Sequence, residues 1–377
     1  MVAEVTPLII GITVFVSSLI SLRIGISVAI IEILAGVLIG NIGVKTQDWM
    51  LYLSGFGGIV LTFLAGAEIN AVLMKQRFKE SILIGFFSFA APFAGGFLFA
   101  RYILVWNVIP SLLAATALSE TSIAVVYSVL METGLSDTVT GKMLFSCTFI
   151  TNMFTALSLS FLFTKPTLYT AAFYAVSFVV IMLVNRYSGY FIRHPKIFNK
   201  VIEPEIKFIF FILFIFIYFA KIGVGQAVLP AFIFGMFMSK HFHSYRKTKV
   251  IKNRLKTIAY AVITPLFFIV GGMKIELPVI ISSIGIFLGF FVVKQVSKFI
   301  GVYFFAKKYI PNGSMYTTLL MSTGLTFGLI ALVFGLQSGI IDSSKYSLLT
   351  GVLILSCVIP TFIAQKWFMP IEEEDII

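Results

Sequence analysis

Apolar stretches, each about twenty residues long, follow one another almost end to end along this sequence, and that is the length a helix needs to cross a bilayer. Hydrophobic residues make up 59% of the chain and charged residues only 12%, with a mean hydropathy of +1.03. A soluble domain typically has ~25% charged residues. The sequence therefore excludes a soluble globular domain and predicts an all-α, polytopic membrane protein.

The span length divides the chain into about thirteen candidate membrane segments. They lie near residues 7–22, 26–43, 51–74, 81–105, 108–131, 142–163, 168–191, 208–222, 226–240, 257–273, 278–306, 316–336 and 348–368. The eighth and ninth segments are separated only around residues 223–225, which makes that boundary the weakest of the set.

Lysine and arginine are concentrated in alternate loops. One set of loops holds Arg23, Lys75, Arg77, Lys79, Lys142, Arg193, Lys196, Lys200, Lys240, Arg246, Lys247, Lys249, Lys252, Arg254, Lys307 and Lys308. The opposite set holds only Lys45, Lys165, Lys221, Lys274 and Lys345. Because cytoplasmic loops carry the excess of basic residues, we expect a multi-pass protein of the cell membrane, with the N-terminus outside and the C-terminus in the cytoplasm.

This distribution also explains the net charge of +12, which in a soluble chain would suggest nucleic acid. Here the basic residues set topology, and no nucleic-acid partner is expected. The most basic loop, residues 241–256, could in addition touch anionic membrane lipid. We favour its role in topology over a specific lipid contact.

The sequence gives no support to an enzyme. It has three His and two Cys, too few for a zinc site of several such ligands, and it lacks phosphate-binding, nucleophile-elbow and zinc-protease motifs. No cofactor is expected.

Residues 108–163 place polar groups in the middle of two neighbouring apolar segments. The first segment carries Ser119, Glu120, Thr121 and Ser122, and the second carries the adjacent pair Thr151–Asn152. Polar groups at membrane depth are costly and usually face a partner, the protein interior or a water-filled path. We therefore predict that these two stretches form one ion-handling site.

A weak internal repeat relates the two ends of the chain. Gly66 matches Gly271 and Gly134 matches Gly339, in both cases at a spacing of 205 residues. The predicted plan is an inverted repeat within a single transmembrane domain, with halves at residues 1–163 and 207–377 joined by a linking segment at 164–206.

Within that plan the fifth and twelfth segments correspond, and both are interrupted by small and polar residues. The second interruption includes Thr323, Gly324 and Thr326. Crossed broken helices expose backbone groups that can coordinate a cation. The alternative, that Ser, Thr and Gly only permit close helix packing, is favoured for Thr326 taken alone but not for the paired interruptions.

The chain resembles the monovalent cation:proton antiporter-2 family, which includes sodium/proton antiporters and potassium efflux systems. The resemblance rests on the ladder from Glu32 to Gly40, residues 63–69 ending near Glu68, the fifth-segment motif at 118–127, and the motifs at 229–232, 264–268 and 322–328. It implies the sodium/proton antiporter fold, H⁺ exchange for Na⁺ or K⁺ by alternating access, and a homodimer.

One departure from the family pattern bears on the mechanism. The aspartate that exchanges H⁺ for cation in the sixth helix of the family is replaced by Asn152, whose amide cannot titrate. A carboxylate has instead appeared at Glu120, where relatives more often have a small hydroxyl residue. We predict that Glu120 is the titrating acid, since burial disfavours a bare carboxylate.

The hypothesis that Glu120 titrates also gives its neighbours a role. Oxygen ligands for a monovalent cation at Glu120 would come from Asn152, Thr151, Thr121, Ser122 and Ser119, because hard cations prefer oxygen. Lys298 matches the family's buried, charge-compensating lysine, and Lys294, one turn earlier, leaves that assignment open.

Several alternatives remain at this point. Glu120 could be a permanently hydrogen-bonded acid in a non-transporting membrane scaffold or sensor. The secondary buried acids Glu32 and Glu68 are expected to pair with Lys or Arg in the core. The sequence does not choose between Na⁺ and K⁺, because selectivity depends on cavity size and oxygen geometry.

Overall fold

The computed structural model describes residues 2–24, 27–68, 77–163, 167–193, 203–222, 227–244 and 246–370. All regular structure in these ranges is helical. The longer helices are α1 (Val2–Ile24), α2 (Val28–Asn41), α3 (Asp48–Ala67), α4 (Phe78–Leu98), α5 (Val108–Ser119), α6 (Ile123–Glu132), α7 (Val139–Leu162), α8 (Leu168–Arg193), α9 (Pro204–Ile222), α10 (Val228–Ser244), α11 (Arg246–Ile258), α12 (Thr264–Met273), α13 (Leu277–Ser282), α14 (Ile284–Tyr309), α15 (Ser314–Met321), α16 (Thr326–Gln337) and α17 (Ser343–Trp367).

Each of the thirteen predicted segments overlaps at least one of these helices. Eight helical stretches are long and apolar enough to cross a membrane: Val5–Ile24, Asp48–Ala67, Phe78–Ile103, Val139–Leu162, Val250–Met273, Ile284–Tyr309, Pro311–Gln337 and Ser343–Trp367. Shorter apolar helices lie at Val28–Asn41, Val108–Ser119, Leu168–Val184 and Val228–Ser239. The prediction of a polytopic helical membrane protein is confirmed. The weak boundary at residues 223–225 lies outside the described residues.

Two of the predicted spans are broken helices. The first breaks between α5 and α6, and the second breaks between α15 and α16. The turns that follow them are related as well, because Gly134 and Gly339 both adopt left-handed backbone, with φ of 73° and 68°. Their spacing is the one that the repeat predicts, and glycine adopts this conformation without the steric cost that other residues meet.

The basic loop predicted at residues 241–256 is mostly helical, which corrects the sequence interpretation. Helix α11 begins at Arg246 and runs without a gap through a π-helical turn, Ala259–Ile263, into α12. Ile251 and Leu255 on α11 are buried. Their spacing of four residues is the helical period, which the density of basic residues obscured.

The chain divides into two compact units. The first comprises Met1–Ser54, Leu73–Thr155 and Pro265–Ile377, and the second Gly55–Val72 and Ala156–Thr264. Each unit draws residues from both predicted halves. Unit one contains both broken helices together with α4 and α14, which pack closely on each other.

Phenylalanine side chains form much of the core of unit two. Phe56 stacks on Phe214 with ring centroids 4.5 Å apart, and Phe63 lies 4.9 Å from Phe234. Helices α3 and α10 cross so closely that a β-carbon at Gly66 would collide with the carbonyl of Phe232. Small residues at such crossings are how membrane helices approach each other.

Candidate functional site

The two broken helices touch each other at their breaks. After α5 ends at Ser119, Glu120 is extended, with φ −67° and ψ 166°. Thr121 Oγ1 donates to the carbonyl of Met321, the last residue of α15, at 2.8 Å. Ser122 Oγ lies 3.3 Å from Thr326 Oγ1, so a hydroxyl pair joins the two breaks.

Lys298 holds the first break in place from α14. It is fully buried, and its ammonium donates to Ser88 Oγ at 2.9 Å, to the carbonyl of Ser119 at 2.8 Å and to Thr121 Oγ1 at 2.9 Å. An ammonium has three protons to donate, and all three are used. Its charge also sits at the C-terminal end of α5, where a cation stabilises the helix.

Glu120 is fully buried at the crossing, yet neither carboxylate oxygen has a hydrogen bond among the described residues. The first backbone N–H groups of α16, at Phe327 and Gly328, act on it electrostatically but fall short of hydrogen-bond geometry. The start of a helix favours an anion. The carboxylate is therefore oriented by dipoles and charges while its oxygens stay available for H⁺ or a cation.

Lys294 is the cation that acts most strongly on Glu120, ahead of Lys298. Its ammonium is fully buried and has no hydrogen-bond partner in the described part of the chain. Gly324 provides the space for it: a β-carbon there would collide with Lys294 Nζ and would lie 3.4 Å from Glu120 Oε1. Both lysine charges act on Glu120, and Lys294 acts more strongly than Lys298, which bears on the assignment that the sequence left open between them.

Asn152 lies on α7 and is also buried without hydrogen bonds, at both its amide oxygen and its amide nitrogen, among the residues described. One turn earlier, Thr148 Oγ1 lies 3.4 Å from Met321 Sδ, at the second break. Because residues four apart share a helix face, Asn152 is on the side of α7 that faces the crossing.

Thr151 and Ser119 donate their hydroxyl protons to backbone carbonyls, as Thr121 does. Thr151 Oγ1 lies 3.1 Å from the carbonyl of Gly85 on α4 and 3.0 Å from that of Cys147. Ser119 Oγ donates to the carbonyl of Thr116 at 2.8 Å. Both hydroxyl protons are committed to backbone carbonyls, which fixes the direction of each hydroxyl but leaves the lone pairs of its oxygen.

At the second break, Thr323 Oγ1 donates to the carbonyl of Leu320 at 2.7 Å, and Ser356 Oγ lies 3.4 Å from the carbonyl of Gly324. Ser356 and Thr148 contact the second break, and Ser88 accepts a hydrogen bond from Lys298, but none of the three was among the predicted site residues. The sequence could not predict these contacts, because they depend on which helices pack together.

Glu68 belongs to unit two and pairs with basic side chains of α11. It lies just past the end of α3, with Lys252 Nζ 2.9 Å from its Oε2 and Lys256 paired to its Oε1. Burial raises the pKa of Glu68, but the two lysine charges and their hydrogen bonds outweigh burial and lower it below its ordinary value.

Glu32, on α2 in unit one, is only 2% exposed. Unlike Glu68, it makes no ion pair with the described residues. The part of the chain described here also holds no group of three or more His, Cys, Asp or Glu that could bind a metal ion. The crossing itself presents one carboxylate, Glu120, together with hydroxyl and amide oxygens and the ammonium groups of Lys294 and Lys298.

The chain matches proteins that are named as sodium/proton antiporters. The profile of the family described as "Sodium/hydrogen exchanger, transmembrane" matches residues 10–369. The chain is 27% identical over 353 residues to a probable Na⁺/H⁺ antiporter 3 of Methanocaldococcus jannaschii, covering 89% of each chain. It is 28% identical over 375 residues to a Na⁺/H⁺ antiporter of Enterococcus hirae, covering 93% of this chain and 94% of the relative.

A third relative, the Na⁺/H⁺-K⁺ antiporter GerN of Bacillus cereus, is 24% identical over 358 residues, covering 90% of this chain and 89% of its own. Among solved structures, the sodium proton antiporter MjNhaP1 of Methanocaldococcus jannaschii at pH 8 matches with a TM-score of 0.67 at 14% identity. That match covers 97% of this chain and 99% of the other, and it shows that the fold is shared.

Proposed function

Because the chain belongs to the sodium/hydrogen exchanger family, we propose that it is a secondary antiporter in which Glu120 exchanges H⁺ for Na⁺ or K⁺. The observation that carries the proposal is a fully buried carboxylate, with both oxygens free of hydrogen bonds, at the contact between two broken helices. The relatives named as Na⁺/H⁺ and Na⁺/H⁺-K⁺ antiporters support the choice of ions.

Exchange requires that one negative charge be neutralised either by H⁺ or by a cation, never by both. A bare carboxylate at membrane depth is costly, so Glu120 is unstable without one of these partners. The positive start of α16 and the charge of Lys294 keep that cost low enough for the bare state to be visited between the two.

The cation would bind between Glu120 and Asn152. Both amide atoms of Asn152 are without partners, so its oxygen can turn to the ion without breaking an existing bond. Thr121 and Ser122 bring hydroxyl oxygens to the same break, and the extended backbone at Glu120 exposes a carbonyl. Oxygen atoms of this kind are what hard cations prefer.

Further parts of the proposal concern the cycle and the assembly. We propose alternating access in a homodimer of the cell membrane, with the N-terminus outside and the C-terminus in the cytoplasm. Support comes from the family resemblance and from the loop charges.

A second candidate is a non-transporting scaffold or sensor on the same fold. The observation that favours it is Asn152, a group that cannot titrate at the position where the family pattern has its exchanging aspartate. In that case Glu120 would keep the crossing folded without carrying H⁺.

Proteoliposomes separate the two candidates. A pH gradient is imposed and its dissipation is followed after adding Na⁺, K⁺ or Li⁺, for the wild type, Glu120→Gln and Asn152→Asp. We expect wild-type flux with Na⁺ or K⁺ that disappears in Glu120→Gln. Flux that survives in Glu120→Gln would refute Glu120 as the exchanging acid. No wild-type flux, with recovery in Asn152→Asp, would establish the scaffold.

A further inference from the structure

A residue with strained backbone lies three residues before α5, the first half of the first broken helix. Val105 has a φ of 55°, and a β-branched residue adopts this left-handed conformation only at a steric cost. Its side chain is 74% exposed, so packing within the protein does not offset the cost. Strain of this kind persists where the surrounding structure fixes the backbone, and it clusters at functional sites. The turn at Val105 therefore serves the residue that follows it, Trp106.

The backbone of Trp106 is fixed from the end of α4. That helix continues into a π-helical turn, Phe99–Ile103, and the N–H of Trp106 donates to the carbonyl of Ala100 within it at 2.9 Å. Arg101 Nη1 donates to the carbonyl of Trp106 at 3.0 Å. π-helical turns are rare and frequently lie at functional sites. These bonds hold the Trp106 ring in place although the turn is unfavourable for Val105.

The Trp106 ring packs on the face of α14 that carries the two site lysines. Its centroid lies 5.3 Å from that of Phe290, and Phe99 packs edge-on against Phe290 at 4.9 Å. Phe290, Lys294 and Lys298 follow at intervals of four residues, and all three are fully buried. Residues four apart share a helix face and lie ~6 Å apart along its axis. Phe290 is therefore the next residue of this face beyond Lys294, and Trp106 covers it.

A lysine lies over the Trp106 ring. Lys345 Nζ is 5.4 Å from the ring centroid, within the ~6 Å range of a cation–π contact. The same ammonium pairs with Asp342, which caps the start of α17. Lys345, Trp106 and Phe290 form a chain of contacts, here called the outer stack, that runs from half-buried residues to a fully buried one. Lys294 lies one turn beyond it.

The loop charges put the outer stack between the exchange site and the outside. The last turn of α14 carries Lys307 and Lys308, which belong to the predicted cytoplasmic loops, and Phe290 lies on the other side of Lys294 from them. On the same side of the breaks, α5 and α16 pack so closely that a β-carbon at Gly335 would collide with the side chain of Leu113. All of these residues belong to unit one.

We propose that Trp106 and Phe290 close the exchange site on its outer side, with Lys345 holding the Trp106 ring in place. Apolar constrictions block ions because they exclude water, and two aromatic rings in contact leave no hydrated route between them. Outward opening would require the Trp106 ring to leave Phe290. What passes the closure rests on the proposed ion exchange, whereas the closure itself can be measured without transport.

Access to position 294 from outside tests the closure. Lys294→Cys is made in a chain whose two native cysteines are replaced by serine, and intact cells are treated with a small, membrane-impermeant methanethiosulfonate. Labelling should be slow with the closure intact. Trp106→Ala should accelerate it by about tenfold or more, because it removes the ring–ring and cation–π contacts. Trp106→Phe keeps a ring on Phe290 and should leave labelling slow.

The other end of α17 provides a matched control. Lys366 Nζ lies 5.1 Å from the ring centroid of Trp367, the same arrangement at the predicted cytoplasmic end. Trp367→Ala and Lys366→Met should leave labelling from outside unchanged. Lys345→Met should accelerate it by a smaller factor than Trp106→Ala, since it leaves the ring on Phe290.

Three outcomes would overturn the proposal. Labelling of Lys294→Cys as fast as that of Ser344→Cys, an exposed position, would show that the site is already open on this side. No acceleration in Trp106→Ala would show that its ring does not close the path. Acceleration that occurs only in inside-out vesicles would put the closure on the cytoplasmic side.

A second reporter covers the case in which Lys294→Cys does not fold. The native Cys357 is fully buried and follows Ser356, whose Oγ lies 3.4 Å from the carbonyl of Gly324 at the second break. In Cys147→Ser, which leaves Cys357 as the one thiol, the same Trp106 series is repeated with the same expected result. Because labelling does not depend on ion exchange, a chain that transports no cation still tests the closure.

Discussion

Two lysines one turn apart on the same helix have different partners. Lys298 donates its three protons to Ser88, to the Ser119 carbonyl and to Thr121. Lys294 has no hydrogen bond in the described chain and faces Glu120. A helix places residues four apart on one face, so their spacing predicted that both would face the site. It gave no means of telling which of them would reach the carboxylate.

The same substitution at the two lysines should therefore separate folding from transport. Lys298→Met leaves Ser88, the Ser119 carbonyl and Thr121 without their donor, and should cost about 3 kcal/mol of stability. Lys294→Met removes an ammonium that makes no hydrogen bond and should cost less than about 1 kcal/mol. It should, however, move half-maximal transport to higher pH, because Glu120 loses its strongest nearby positive charge.

Thermal unfolding in detergent and transport rate against pH give the two readouts for both lysine variants. Each variant serves as the control for the other, since the chemical change is identical and the positions are one turn apart. Equal losses of stability, with no movement of the pH profile in Lys294→Met, would contradict the division of roles.

That these residues lie near the crossing of the broken helices was predictable from the sequence, but the geometry among them was not. Glu120 and Asn152 stood out because a carboxylate and an amide interrupted apolar segments. The direction of Thr151, which contacts Gly85 on α4, depends on the rotation of α7 about its axis. Neighbouring positions on a helix point about 100° apart, so adjacency to Asn152 did not place both side chains at the crossing.

At the scale of the helix, the second break depends on an amino acid without a β-carbon. Gly324→Ala would place a methyl group against Lys294 Nζ, the flexible end of its side chain, and 3.4 Å from Glu120 Oε1. The lysine can move away, so we expect stability to change by less than about 1 kcal/mol. Transport should fall several-fold, because the displaced ammonium no longer faces the carboxylate.

Gly285→Ala is the matched control for Gly324→Ala, since a β-carbon at Gly285 on α14 meets nothing within 4 Å. It should leave transport unchanged and can slightly stabilise its helix. Proteoliposome flux and thermal midpoints for both variants check the prediction. Wild-type transport in Gly324→Ala would show that Lys294 does not need its observed position.

Ion pairs between Glu68 and two lysines attach α11 to the end of α3. The lysine charges lower the pKa of Glu68 below its ordinary value of 4.5. A folded-state pKa below the unfolded value means that the pair stabilises the protein above about pH 4.5, and that this stability is lost as pH falls through the folded-state pKa. Glu68→Gln should cost about 1–3 kcal/mol at pH 7 and progressively less in acid.

A double-mutant cycle for this pair compares the wild type, Glu68→Gln, Lys256→Met and the double variant. The thermal midpoint of each is measured at pH 7 and at about pH 4. The interaction energy between Glu68 and Lys256 should shrink in acid. A coupling that is the same at both pH values would show that charge is not what joins the two helices. The sequence predicted that Glu68 would pair with a basic residue. It did not show that its partners lie on a helix that begins at Arg246, because the run of basic side chains there obscured the helical pattern.

At the scale of the whole molecule, the helix pattern could be predicted almost completely. Apolar length alone located every described span, and the spacing of Gly134 and Gly339 anticipated the matching turns of the two halves. Assembly into two units could not be read in the same way. Residues of one half are divided between both units, and the contacts that decide this division depend on packing between segments far apart in sequence.

The net charge that crosses the membrane in each transport cycle depends on how many acids exchange at the crossing. In the proposed cycle the one carboxylate at the crossing carries either one H⁺ or one monovalent cation, so the loaded carrier has the same net charge in both directions. Exchange should therefore be one for one and electroneutral. Asn152→Asp adds a second acid beside the first, so two protons could return for each cation and net charge would cross the membrane.

Solid-supported membrane recordings measure this current directly, alongside the dissipation of a pH gradient by the same vesicles. Wild-type protein should dissipate the gradient with no current above that of Glu120→Gln, whereas Asn152→Asp should produce a current that scales with the cation gradient. A wild-type current that scales in this way would require a second exchanging group. Glu32, buried and without an ion pair in the described chain, would then be the first residue to substitute, because an acid in an apolar helix is a functional site by default.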